Sequence, residues 1–348
     1  MDLSENEPAR RATVHDVARH AGVSLATVDR VLNGRPGVRP ATAEKVESAI
    51  AALDFQRDLS ASLLARARDL HVLFILPDGR NEFMANLADA ITRRGRTGRA
   101  ERLHLETARV KAMDPGALAA RLAQLDRKSC DCAVIVATDD EAVRKAVDAV
   151  TRKGIAVMTL VSDLPNSARK MFIGIDNVAA GRTAASLMGR FTGAGKVALI
   201  AGSLGLRDHQ DRLEGFRQVA AREFPELELI GPFEAHDDRG ETESFAAGLL
   251  RDHPDLQGIY NLGAGNAGLI AALEASGRSS KVRVIAHELS EPTHAGLKSG
   301  AIDVVLDQNP DGEIRAAVAS ARALALGQGA DPHAEPIEIG IFLRDNLR

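Results

Sequence analysis

Hydrophobic positions near the start of the chain recur at helical spacing in three short blocks. Val17 and Ala18 fall on one face of a first block, Val28, Val31 and Leu32 on one face of a second, and Val46, Ile50 and Leu53 on a third. Thr13 stands where an N-cap hydroxyl belongs, with Asp16 three residues on to complete a capping box, and Ser24 can cap the second block in the same way. Pro40 suits the first position of the third helix. Gly22 lies between the first two blocks in AGVS, and a small residue at Ala18 lets two helices cross closely. This pattern predicts a helix-turn-helix whose second helix turns Leu25, Ala26, Thr27, Asp29 and Arg30 outward, the face that such a motif presents to base edges.

From His71 the pattern changes to short apolar runs alternating with amphipathic stretches, the signature of a parallel α/β architecture. Ten runs read as strands: HVLFILP, RLHLETA, DCAVIVA, IAVMTLVS, MFIGID, KVALIAG, LELIGPF, GIYNLG, VRVIAHE and DVVLDQN. Helical stretches such as 86–94, 115–125, 141–153 and 179–190 lie between them. Two sheets fit these runs better than one sheet of ten strands. Between the head and this body, Leu59 to Asp69 has helical composition but is too short to be stable alone.

Charge separates the two parts. The whole chain carries −4, yet between Arg10 and Arg68 ten basic residues face six acidic ones, so a basic head precedes an acidic body. With 45% hydrophobic and 26% charged residues the chain is an ordinary globular protein, and no apolar run approaches the roughly 20 residues of a spanning helix. The stretch MDLSENEPARRATV lacks the apolar core of an export signal, so the expected location is the cytoplasm, without a membrane partner. Cys130 and Cys132 have no companion cysteines for a zinc site and read as buried or partly buried free thiols; no metal or cofactor is expected. GAGK at Gly193–Lys196 lacks both the spacing and the following Ser or Thr of a phosphate loop. With no nucleophile, base and orienter at recognisable spacing, an enzyme is not expected.

The head resembles the DNA-binding headpiece of the lactose-repressor (LacI/GalR) family, on TVHDVARHAGVS, TVDRVLN and VRPATAEKV and on the helix that reaches Phe55. The resemblance implies an α/β body of two Rossmann-like subdomains of the periplasmic sugar-binding type, joined by three crossovers, with a ligand between them. It implies a headpiece at 1–58, a hinge at 59–69 and an effector and dimerisation domain at 70–348. The subdomains would take about 70–172 with 302–328, and 173–301 with 329–348, FLRDNLR resembling the closing strand. By the same resemblance Leu25 and Ala26 read bases, Arg30 reaches a guanine edge or a phosphate, and Asn33 and Thr42 approach the DNA backbone. Leu64 would be the hinge leucine inserted into the minor groove. Thr13, Ser24, Thr27, Asp29 and Arg39 complete the expected DNA-facing set. Three departures bear on operator choice and hinge stiffness: Asp29 stands in place of a serine, Arg39 in place of a capping serine and Arg57 in place of a proline. Asp29 can accept from a cytosine amino group or pair with Arg30.

In an open α/β sheet the ligand sits beyond the carboxyl ends of the strands. Residues just after each run, together with the resemblance, nominate Asn81, Phe83, Asp163, His209, Arg212, Asn266, His287, Glu288 and Gln308 as effector contacts. Gly263 holds a place where most relatives carry an aspartate, and His287-Glu288 replaces a more usual turn, which implies a retuned pocket. Aromatic residues make up 3% of the chain, with no Trp and one Tyr, so Phe83 is the leading stacking candidate and hydrogen bonding must dominate. That favours a compact monosaccharide or polyol. The expected function is a homodimeric regulator, a repressor in sense, reading a pseudo-palindromic operator. The alternatives are an activator, a co-repressor-dependent regulator, or a stand-alone sugar-binding protein for transport or sensing.

Overall fold

The computed structural model describes residues 12–32, 37–53, 55, 69–98, 101–327 and 336–347. These fall into two units, a helical head and an α/β body. The head contains α1 (Val14–Ala21), α2 (Leu25–Leu32) and α3 (Pro40–Ala52). α1 starts with the expected capping box: the Asp16 amide donates to the Thr13 hydroxyl at 3.3 Å, and the Thr13 amide donates to the Asp16 carboxylate at 2.9 Å. Gly22 ends α1 in the left-handed conformation, at φ 65°. Ser24 accepts from the Thr27 amide at 3.2 Å and so caps α2. Val17, Ala18, Val28, Val46, Ala49 and Phe55 are buried together, while Val31 and Leu32 pack at the margin of this core. Asn33, Arg57, Leu64 and nearly all of the expected hinge lie outside the described residues.

The body is built on two sheets, and all ten apolar runs form strands in it. The first sheet contains β1 (Leu70–Pro77), β2 (Leu103–Val110), β3 (Cys132–Ile135), β4 (Ala156–Leu160) and β5 (Met171–Ile173), in the order β2-β1-β3-β4-β5 and wholly parallel. The second contains β6 (Gly195–Ala201), β7 (Leu227–Glu234), β8 (Leu256–Asn261), β9 (Arg283–His287), β10 (Val304–Asp307) and β11 (Gly340–Phe342), in the order β11-β10-β9-β8-β6-β7. Among the described residues only the β10–β11 pair is antiparallel. Helices α4 (Glu82–Gly98), α5 (Pro115–Ala123) and α6 (Glu141–Arg152) connect the strands of the first sheet. Those of the second are accompanied by α7 (Asn177–Thr192), α8 (Arg207–Glu223), α9 (Arg239–Asp252), α10 (Asn266–Ser276) and α11 (Glu291–Ser299). α12 (Pro310–Ala325) then runs from β10 towards β11.

Strands buried on both faces read as continuous apolar runs, which is why composition alone locates them here. The second sheet accordingly has separate cores on its two faces, one around Ile259 and Leu269, the other around Phe216 and Tyr260. The expected return to the first subdomain at 302 needs correction. Val304–Asp307 pairs in parallel with β9, so this segment belongs to the second sheet, and the chain leaves it only after β10. An ion pair of 2.8 Å between Arg93 on α4 and Asp311 then ties the first turn of α12 to the first subdomain. The closing segment forms a strand of three residues followed by a short 3₁₀ turn. Cys130 and Cys132 are free and buried, and burial pushes the Cys130 thiol up to about 11. No helix among the described residues is long and apolar enough to cross a membrane.

Candidate functional site

A cleft of about 340 Å³ lies between the carboxyl ends of the two sheets. Its deepest cation is Arg212 on α8, whose position depends on how α7 and α8 cross. A Cβ on Gly181 would come within 2.0 Å of the Arg212 carbonyl oxygen, and one on Gly215 within 2.1 Å of the Val178 carbonyl oxygen. Only glycine permits that approach, and it brings Asn177 beside Arg212. The Arg212 Nε donates to Asn177 Oδ1 at 2.9 Å and Nη1 donates to the Leu262 carbonyl at 2.7 Å. Nη2 has no hydrogen-bond partner among the described residues, and it lies 3.9 Å from Asp208 and 3.8 Å from Glu288.

Glu288 follows β9 in the left-handed region, at φ 67°. Its backbone is pinned on both sides: its amide donates to the Leu306 carbonyl at 2.9 Å, and its carbonyl accepts from the Thr293 hydroxyl at 2.7 Å. Oε1 accepts from Gln308 Nε2, while Oε2 and Gln308 Oε1 are buried without a partner. Burial pushes the Glu288 carboxyl up to about 8, against the opposing pull of the Arg212 charge. It is therefore mostly protonated near neutral pH and able to donate. Beneath this cluster Glu313 is fully buried, and burial, reinforced by the charge of Glu288, raises its carboxyl well above the usual range.

Of the nine expected effector contacts, Asn81, Phe83, His209, Arg212, Glu288 and Gln308 line the cleft. The other three do not. Asp163 turns into its own loop, accepting from Arg169 Nη2 at 2.6 Å and from the Thr159 hydroxyl at 2.7 Å. Burial opposes its ionisation, but these hydrogen bonds hold the carboxyl below its usual value, and the neighbouring Ser162 faces the cleft instead. His287 points into the core, where Nε2 meets the Tyr260 hydroxyl at 2.8 Å and Tyr260 stacks on Phe216. Burial, with the Arg212 charge, holds that imidazole neutral. Asn266 accepts from Asn261 Nδ2 at 2.8 Å and donates to the His287 carbonyl at 3.1 Å, fastening β8 to β9.

Asp237 is among the cleft residues outside the expected set. It lies in the loop after β7 with φ 56°, and its Oδ1 accepts the Ala264 amide at 2.8 Å. Its Oδ2 accepts from Asn81 Nδ2 at 3.2 Å, a bond from one subdomain to the other. Glycines make its seat: a Cβ on Gly202 would lie 2.2 Å from Asp237 Oδ1 and one on Gly263 2.5 Å from it. A carboxylate absent from the Gly263 side chain thus reaches the same spot from a different loop. The strand-end rule would have found Asp237 had it been applied after LELIGPF.

Asn81 uses its other amide atom to accept from the amides of Phe83 and Met84, at 3.0 and 3.2 Å, so the start of α4 is oriented by the residue that bridges the cleft. Two further bonds cross it: Arg207 N to Ser162 Oγ at 2.9 Å, and Asp139 N to the Gly205 carbonyl at 3.0 Å. Met113, Val161, His236, Asp237 and Glu288 all line the cleft with positive φ. For β-branched Val161, at φ 66°, this is a strained conformation, and such strain gathers where a site demands it.

The sequence model described as "Periplasmic binding protein domain" matches residues 72–329, and that of "Bacterial regulatory proteins, lacI family" matches residues 13–58. The chain belongs to the periplasmic binding protein domain family, with a lacI-family head. Catabolite control protein A of Priestia megaterium is 46% identical over 79 residues, 23% of this chain and 24% of that protein. The chain thus spans about a quarter of that relative's length. The transcriptional regulator DegA of Bacillus subtilis is 27% identical over 211 residues, 60% of each chain. The ribose import binding protein RbsB of the same species is 27% identical over 189 residues, 54% of this chain and 60% of that one. Among solved structures, a solute binding protein from Burkholderia graminis in complex with D-arabinose superposes with a TM-score of 0.74 at 24% identity, covering 80% of this chain and 96% of that one.

In the head, the α2 residues expected to face DNA differ in exposure. Ser24, Leu25, Ala26 and Arg30 are exposed, Thr27 and Asp29 half-buried, and Val28 alone in this stretch is fully buried. Leu25 is 42% exposed and takes no part in the head's core. Arg39 precedes α3 without making a side-chain cap, which leaves its guanidinium outside the helix start, and Thr42 is half-buried in the first turn of α3.

Proposed function

We propose that this chain is a DNA-binding transcription regulator, a repressor in sense, whose homodimer reads a pseudo-palindromic operator and is gated by a compact, uncharged monosaccharide or polyol held in the cleft. Leu25, Ala26 and Arg30 are the base-reading residues, with Thr13, Ser24, Thr27, Asp29, Arg39 and Thr42 setting backbone contacts and register. The lacI-family match of the head and the DegA likeness across head and body support the DNA-reading part.

The observation that carries the ligand reading is the convergence of four buried polar atoms that lack partners: Asp208 Oδ1, Arg212 Nη2, Glu288 Oε2 and Gln308 Oε1. Leaving such atoms unsatisfied costs about 1–3 kcal/mol each, so a hydroxyl-rich molecule that satisfies them binds with that relief in its favour. Phe83 supplies an apolar face for ring carbons. Leaving Glu288 aside, the carboxyl groups of Asp78, Asp114, Asp208, Asp237 and Asp238 outnumber Arg80, Lys111 and Arg212 along the cleft, which disfavours a phosphate ester or an acid. Asp237 and Asn81 latch the closed cleft, and a ligand hydroxyl that engages both favours that state over the open one. Gating requires this difference, because equal affinity for both states shifts nothing.

A thermal-shift screen of D-ribose, D-arabinose, D-galactose, D-fucose, myo-inositol and their phosphate esters tests the reading. An uncharged ligand at 100 times its dissociation constant should add about 2.7 kcal/mol of stability. A response confined to the phosphate esters contradicts it. A stand-alone binding protein is the second reading, favoured by the RbsB likeness. Sequence-specific DNA binding by the purified chain separates the two.

A further inference from the structure

At the end of the first sheet opposite to the cleft, Asp69, His71 and His104 bring one carboxylate and two imidazoles together, with ligand atoms all within 4.8 Å of one another. The parallel register pairs His71 on β1 directly with His104 on β2. Side chains of paired residues project from the same face of a sheet, and here the two rings stack with centroids 4.7 Å apart and an interplanar angle of 10°. Asp69 Oδ2 lies 3.5 Å from His104 Nε2. That is close to the edge of a tetrahedron with metal–ligand bonds of about 2.1 Å, roughly 3.4 Å. We propose that Asp69, His71 and His104 bind one divalent transition-metal ion of the zinc, cobalt, nickel or copper type.

Two imidazoles and one carboxylate form the borderline donor set that suits such ions and is poor for magnesium or calcium, which take all-oxygen shells. Two of the three ligands stand on hydrogen-bonded neighbouring strands, and the backbone of His71 is fixed further by donating to Asp131 Oδ2 at 3.0 Å. The backbone therefore pre-sets the spacing, and only side-chain torsions need to adjust. His104 and Asp69 are about half exposed, at 44% and 47%, so water can reach and complete the coordination sphere. The neighbouring cation is Arg102, whose Nη1 is 3.5 Å from Asp69 Oδ1 and leaves Oδ2 to the histidine side. From His71 to Pro77 the strand rises roughly 20 Å, so this site is separate from the effector cleft. In sequence its first ligand, Asp69, is the last residue of the expected hinge and the first of the body.

Isothermal titration of the tag-free full chain with zinc chloride tests the assignment. One equivalent per chain should bind, with the affinity lost or weakened by about tenfold or more in His104→Gln and in Asp69→Asn, since even outer-shell partners carry that much. Arg102→Met removes the competing cation and should tighten binding, a change that a purely structural role for Asp69 does not produce. No zinc binding by the wild-type chain, or binding unchanged in all three variants, overturns the proposal.

Discussion

The head and the cleft differ in the sequence distance over which they are assembled. In the head, Thr13 caps with Asp16, Ser24 with Thr27, and the core closes through residues within some forty positions of one another. In the cleft, Asn81 meets Asp237 and Arg212 meets Asn177 and Glu288 across long stretches of chain. Local signals make the head readable residue by residue. The cleft depends on which way each side chain turns once two sheets have formed, so its polar cluster answers to substitution differently.

The largest expected contrast is Arg212→Ala. It removes the positive charge beside Asp208 and leaves the Asn177 and Leu262 acceptors buried without their donor, a loss on the order of 3 kcal/mol or more for the body. Urea unfolding followed by circular dichroism should record it, along with loss of any sugar-induced shift in melting temperature. A body of wild-type stability would remove Arg212 from its central place. Overpacking the head is next: Ala18→Leu inserts bulk into a buried crossing and should cost roughly 1–3 kcal/mol, seen as lost DNA binding with the body transition unchanged. If the body transition moves equally, the two regions are not energetically distinct.

A pH series sharpens the comparison from the other side. Glu288 titrates near 4.5 when unfolded and at about 8 when buried, so between these values the folded state holds the extra proton. Stability of the body should therefore fall as pH rises from 4.5 through 8, Glu313 contributing in the same direction. Glu288→Gln should flatten that fall in urea titrations at pH 5 and pH 8, and an equal fall in both proteins contradicts the burial argument. Thr13→Ala should cost about 1 kcal/mol, confined to the head and measurable by hydrogen exchange of the α1 amides. Smallest in stability is Leu25→Ser, within roughly 0.5 kcal/mol because the side chain is exposed, yet it should change base preference in a binding-site selection. Unchanged preference would take Leu25 off the reading face.

Much of the fold was legible because buried parallel strands are near-continuous apolar runs bounded by polar turns. What the runs do not carry is the sheet to which a strand belongs, hence the misplaced boundary at 302, before Val304–Asp307. The strand-end rule located the cleft but did not resolve neighbours. Adjacent residues at a strand end face opposite ways, so His287 enters the core and Glu288 the cleft, while Ser162 lines the wall that Asp163 was expected to line. Asp237 stands just after LELIGPF, within reach of the strand-end rule, but its seat depends on the missing side chains of Gly202 and Gly263, which lie far from it in sequence. The pairing of His71 with His104 is likewise a fact of register, absent from either segment alone.

The central claim is that a sugar-sized ligand in the cleft controls what the head reads. Fluorescence anisotropy of the purified chain on a DNA site selected from a random pool, with and without the uncharged ligand that most raises the melting temperature, tests this most directly. The account predicts a two-fold symmetric site and a salt-dependent affinity that weakens when the ligand is added. A selected site without two-fold symmetry, or an affinity indifferent to saturating ligand, contradicts it.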